Sequence, residues 1–234
     1  MTDITYPTPS GPLPAYQAVP AGSGPWPGVV VIQDAFGLTD DIRRSCDRLA
    51  AAGYLTLAPA LYRRGNRVGC VVRTLRALAN GSGAAIDDLG AAREALASDP
   101  RCSGKVGVIG FCMGGGFSLQ LAPRGVFDVA APNYGPLPKD TAALANSCPI
   151  VASYGAGDWT MKNVAATLEQ VLTEAGVDHD VKEYPHVGHS FMNDWGAPAV
   201  LQLVTRAAGF YYSEPEAEDA WTRILGFFEQ HLRS

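Results

Sequence analysis

The run GVVVIQD, Gly28 to Asp34, is apolar without alternation, the pattern of a strand covered on both faces by helices. A strand with one wet face would alternate instead. The segment LTDDIRRSCDRLAAAGY supplies the first cover: Thr39 can cap a helix, Ile42, Cys46 and Leu49 recur at i, i+4 and i+7, and Gly53 can close it. Cys46 is therefore expected in the core. YLTLAPALY and KVGVIGF read as further strands. Between them, a polar, glycine-bearing stretch (63–69, then 80–83) leads into the helix AIDDLGAAREALAS, which ends near Pro100. FDVAAPNYG, CPIVASYGAGD and HDVKEYP are short strand candidates. VAATLEQVLTEAG is a helix with Val164, Leu168, Val171 and Leu172 in one stripe, and EAEDAWTRILGFFEQHL is a last helix with Trp221, Ile224, Leu225, Phe228 and Leu232 on one side. Residues 1–27 are rich in Pro, Gly and Ser, and AYQAV within them suits an antiparallel edge strand. Strands alternating with helices along the chain predict an α/β fold with a mostly parallel sheet, in one domain spanning 1–234.

Composition narrows the partners. With a net charge of −5 and no basic run longer than Arg63-Arg64, the chain offers no field for phosphate backbones or anionic lipid. Hydrophobic residues at 47% and charged residues at 18% suit a compact chain and exceed what disorder would carry. The N-terminal residues lack a basic start and an apolar run, and no later stretch reaches the roughly 20 apolar residues a span needs. A cytoplasmic protein is expected, without nucleic-acid or membrane partners. The five cysteines are scattered singly and the four histidines stand at no ligand spacing from a cysteine pair, so free thiols and no metal are expected.

The chemistry points to Gly110-Phe111-Cys112-Met113-Gly114. This is G-x-C-x-G directly after a strand and before the helical segment MGGGFSLQLA. In the serine form of that motif the nucleophile sits on a strained strand-to-helix turn, and the glycines admit neighbouring backbone that a Cβ would block. A thiol there also faces a helix N-terminus, which favours the thiolate. A buried small residue is the competing reading for any single cysteine. A nucleophile needs a base and an orienting acid. YGAGD ends a strand with Asp158, and YPHVGHSF follows the last strand with His186 and His189. The order nucleophile, acid, histidine is that of α/β-hydrolases.

From VVVIQDAFGL through GYLTLAPALY, GKVGVIGFCMGG and YGAGD to GHSF, the chain resembles the dienelactone hydrolase family of α/β-hydrolases. That resemblance implies Cys112 as nucleophile, His189 as general base and Asp158 as the carboxylate orienting it, with His186 outside the motif as the alternative base. It implies an oxyanion hole from the backbone N–H groups of Met113 and Ala35, and a substrate site against Phe36, Phe191 and Asn193. Two departures stand out. The family carries a glutamate that holds the resting thiol, and here the position is Asp34, whose reach is about 1.5 Å shorter; a residue capping nearby backbone is the alternative role. An arginine that binds the substrate carboxylate is replaced by Asn193, followed by Asp194, and its counterpart would be one of Arg63, Arg64, Arg67, Arg73 and Arg76. His179 and His231 read as surface residues.

The expected activity is hydrolysis of small carboxylic esters or lactones through a Cys-His-Asp triad and an acyl-enzyme, without a cofactor, by a monomer or homodimer. The alternative is a non-hydrolytic ligand-binding or redox-active thiol protein on the same scaffold.

Overall fold

The computed structural model describes residues 2–196, 205–206 and 209–233. Its strands are β1 Thr2–Tyr6, β2 Leu13–Ala18, β3 Trp26–Ile32, β4 Leu55–Pro59, β5 Cys102–Phe111, β6 Val129–Asn133, β7 Ile150–Gly155 and β8 His179–Tyr184. Its helices are α1 Asp40–Ala51, α2 Arg67–Asn80, α3 Ala84–Ala97, α4 Met113–Leu121, α5 Val164–Ala175 and α6 Glu214–Leu232. The strands form one sheet in the order β1-β2-β4-β3-β5-β6-β7-β8. β1, β2 and β4 pair antiparallel at one edge, and every pairing from β4 to β8 is parallel.

Val29, Val30, Val31 and Ile32 of β3 are all fully buried, as the unbroken apolar run requires. Helix α1 begins at the Thr39 cap, whose hydroxyl accepts from the Ile42 N–H at 3.5 Å, and Asp40 and Asp41 in its first turn suit the helix dipole. It buries Ile42, Cys46 and Leu49, and burial pushes the Cys46 thiol up to about 12. On α6, Trp221, Ile224, Phe228 and Leu232 are buried and Leu225 is half-buried. The two helices are tied by Arg48 and Glu218 through contacts of 2.6 and 2.7 Å. No helix among the described residues is long and apolar enough to cross a membrane.

One element departs from the sequence reading. Helix α2 spans the residues between the two polar, glycine-bearing pieces and overlaps the ends of both, capped by Asn66, whose side chain accepts from the Gly69 N–H at 2.7 Å, and ended by Gly81 at φ +67°. Val68, Val72 and Leu75 on it are exposed, so its apolar residues carry no clean inward stripe.

Candidate active site

The strand-to-helix turn is the first piece. Cys112 lies between the end of β5 and the start of α4 with φ +54° and ψ −112°, a conformation that side-chain-bearing residues adopt at a cost of about 1–3 kcal/mol. Neighbours hold it there: its N–H donates to the Asn133 carbonyl at 3.0 Å, and its own carbonyl accepts from Gly116 N–H at 3.1 Å. A Cβ on Gly110 would fall on the Gly114 carbonyl and lie 2.7 Å from the Ser118 hydroxyl oxygen. A Cβ on Gly114 would fall on the Ile32 carbonyl oxygen and lie 2.7 Å from that of Gln33. The first turn of α4 is thus pressed directly onto the end of β3. Cys112 remains partly exposed, whereas Cys46 and Cys70 are buried.

His189 and Asp158 arrive from the loops after β8 and β7. The Asp158 backbone N–H donates to the Gly155 carbonyl at 3.0 Å, and one carboxylate oxygen accepts from the Thr160 N–H at 2.9 Å and hydroxyl at 2.5 Å. The other oxygen lies 2.5 Å from His189 Nδ1. An ionised carboxylate can only accept, so Nδ1 carries the proton and Nε2 is left for chemistry. The ring also packs against Phe210 at 5.0 Å, and the Cys112 side chain is close enough to raise its pKa. Burial alone would lower the His189 pKa, but hydrogen bonding to Asp158 and Cys112 outweighs it and pushes the imidazole up to about 9. Burial would raise Asp158, yet the bonds from His189 and Thr160 hold it below its ordinary value. The structure therefore brings Cys112, His189 and Asp158 together. His186 is exposed, three residues away on the outside of the loop.

This pairing has a pH signature. The stability gained by charging His189 is complete below its ordinary value of 6.5 and is lost as pH rises through about 9, while the Asp158 share is present above 3.8 and lost in acid. His189→Ala should therefore destabilise the protein most at about pH 5 to 6 and progressively less as pH climbs through 9. Urea unfolding of both proteins across that range measures it, and a pH-independent difference would contradict the pairing.

The remaining expected site residues divide. Ala35 is exposed at the end of β3. Phe36 is 55% exposed and lines a cavity of about 440 Å³ with Gln33, Tyr62, Arg63 and Arg67. The Tyr62 hydroxyl reaches the Met113 sulfur at 3.3 Å, so this cavity adjoins the turn that carries Cys112. Phe191 needs correction as a substrate wall: it is fully buried, packed on Tyr134 and Tyr184 at ring distances of 5.6 and 5.0 Å. Asn193 is corrected in the same way. It is buried with both ends of its amide occupied, accepting from the Tyr134 hydroxyl at 2.5 Å and donating to Asp41 at 2.6 Å. It braces the histidine loop against α1, and Tyr134 in turn sits edge-on to the His189 ring at 5.2 Å.

Asp34 is buried, and its carboxylate is occupied elsewhere than at the thiol: Oδ1 accepts from Phe36 N–H at 2.8 Å and Oδ2 from the Trp195 indole N–H at 3.0 Å. Among the arginines, Arg64 pairs with Asp88 at 3.0 Å, Arg67 donates to the Phe36 carbonyl at 3.0 Å, and Arg73 to that of Arg64 at 2.8 Å. His179 and His231 are half-buried and paired with Glu169 and Asp178, so neither is a free surface residue. Tyr134, Asp41 and Trp195 were not singled out by sequence, which carries no mark of contacts made only when distant loops meet.

A sheet with five parallel pairings, carrying a cysteine on the turn after β5 and a histidine-carboxylate pair on the loops after β7 and β8, defines an α/β-hydrolase fold. The model of the dienelactone hydrolase family matches residues 13–232. A candidate carboxymethylenebutenolidase of Escherichia coli (strain K12) is 32% identical, with 94% of this chain and 83% of that protein covered. One of Methylorubrum extorquens is 29% identical, with 98% and 80% covered. A solved structure of a candidate dienelactone hydrolase from Klebsiella pneumoniae superposes with a TM-score of 0.78 at 28% identity, covering 98% of both chains. The chain belongs to the dienelactone hydrolase family and is a hydrolase of esters or lactones.

Proposed function

We propose that the protein hydrolyses small carboxylic esters or lactones through Cys112, His189 and Asp158, as one cytoplasmic domain that needs no cofactor. The observation that carries this reading is the His189–Asp158 contact of 2.5 Å beside a cysteine on a strained turn. The thiol proton passes to His189 Nε2 before attack, as an imidazole pKa raised to about 9 favours, and Cys112 Sγ then bonds to the acyl carbon while the carbonyl electrons move onto oxygen. The Met113 and Ala35 amides donate to that oxyanion. Its collapse breaks the bond to the leaving oxygen, which takes the proton from His189. Water, deprotonated by His189, then cleaves the thioester and restores the thiol.

Substrate charge follows from the histidine loop. With Asn193 locked between Tyr134 and Asp41, the position where the family's arginine would stand offers a carboxylate no cation. A carboxylated lactone thus forgoes a charge-assisted bond of about 1.5–3 kcal/mol, and 1.4 kcal/mol is about tenfold in rate. In a panel of neutral esters, neutral lactones and carboxylated lactones, with Cys112→Ala as control, the neutral compounds are expected to show kcat/KM at least about tenfold higher. A preference for the anion that Arg63→Ala abolishes would place carboxylate recognition in the cavity beside Phe36.

A further inference from the structure

Asp34 stands where the family resemblance calls for a group acting on the thiol, yet its hydrogen bonds describe another task. Its Oδ1 accepts from the N–H two residues on, its carbonyl accepts from the Gly37 N–H at 3.3 Å, and these bonds close a tight turn around Ala35. Its Oδ2 accepts from the Trp195 indole, six residues beyond His189, and the Trp195 ring packs edge-on against Phe36 at 5.0 Å. A single carboxylate therefore joins the loop after β3 to the histidine loop. The loop it shapes lies against the cysteine turn, because Gly114 leaves no room for a Cβ against the Ile32 and Gln33 carbonyls.

Resting on the hydrolytic reading above, we infer that Asp34 and Trp195 are positioning residues that fix the Ala35 amide as an oxyanion donor, and that Asp34 does not act on the Cys112 thiol. The shorter side chain is the physical reason. One methylene less than glutamate keeps the carboxylate over its own turn, where the Phe36 amide and the Trp195 indole occupy both oxygens.

The inference separates two measurable rates. Ester turnover needs the oxyanion donor, whereas alkylation of Cys112 by iodoacetamide passes through no oxyanion and reads the thiol alone. Asp34→Ala is expected to lower kcat about 100-fold, the cost of misplacing one donor, with KM within about twofold, since the oxyanion forms only after the substrate has bound and is attacked. Trp195→Phe, which keeps an aromatic ring beside Phe36 and removes the N–H, is expected to lower kcat about tenfold, as loss of one hydrogen bond to a carboxylate would. Both variants should alkylate Cys112 within about twofold of the parent rate, where an unfolded or loosened site would change both rates together. Asp34→Glu should not rescue turnover, because the longer side chain cannot keep the turn and the indole bond together. Alkylation that falls or rises in step with turnover in a variant whose urea unfolding stays parental, or an Asp34→Glu variant with parental kcat, would return Asp34 to the thiol and overturn the inference. Unchanged turnover in Asp34→Ala and Trp195→Phe would overturn it as well. Parental turnover that survives Cys112→Ala would instead overturn the hydrolytic reading, and this inference with it.

Discussion

Cys112→Ala is expected to lower kcat for ester hydrolysis by about 10⁴- to 10⁶-fold, and His189→Ala by a comparable factor. In the proposed mechanism the two residues act on one bond: without the thiol there is nothing for the imidazole to deprotonate, and without the imidazole the thiol has no proton acceptor. The double variant should therefore be little worse than either single one. Asp158→Ala should retain more activity, because Asp158 touches only Nδ1 of the ring and meets none of the reacting atoms. What remains in all three comes from binding and from the backbone donors. Steady-state kinetics of the four variants checks this, and effects that multiply in the double variant would show that the residues do not act as a unit.

The second large effect concerns stability. Gly110→Ala is expected to cost more than about 3 kcal/mol, since the new methyl meets the Gly114 carbonyl, which is backbone held in the first turn of α4 and cannot swing aside. For a chain of this size that is a fall in Tm of roughly 6–12 °C. Gly90→Ala and Gly226→Ala are the controls. Both glycines lie inside helices, α3 and α6, where a Cβ meets nothing within 4 Å, so each alanine should stabilise by up to about 1 kcal/mol. Calorimetry of the three variants reads the contrast. A Gly110→Ala protein as stable as its parent would mean that the cysteine turn is looser than its contacts imply.

The periodicity of the sequence was a faithful guide where one physical cause dominates. The unbroken run in β3 and the inward stripes of α1, α5 and α6 reflect burial, and burial writes itself into residue type. The cysteine turn was legible for a related reason: glycines at 110 and 114 are demanded by backbone contacts on either side of Cys112. Helix α2 was missed because Val68, Val72 and Leu75 face solvent, so only the Asn66 cap and Gly81 marked its ends. Phe191 and Asn193 were misplaced for a different reason. Nearness to His189 in sequence says nothing about direction, and Ser190 at φ +63° turns the chain so that both side chains point into the protein. Asp34 shows the remaining limit. A family position fixes where a residue stands, but its partner Trp195 comes from a loop 161 residues away in sequence.

The proposed hydrolysis turns on the transfer of the acyl group to Cys112. The most direct measurement is acid quenching of the protein during turnover of a neutral activated ester, followed by peptide mass spectrometry. An acyl group on the peptide containing Cys112, absent from Cys112→Ala together with turnover, is the predicted result. An acyl group on a different residue, or full turnover by Cys112→Ala, would contradict it.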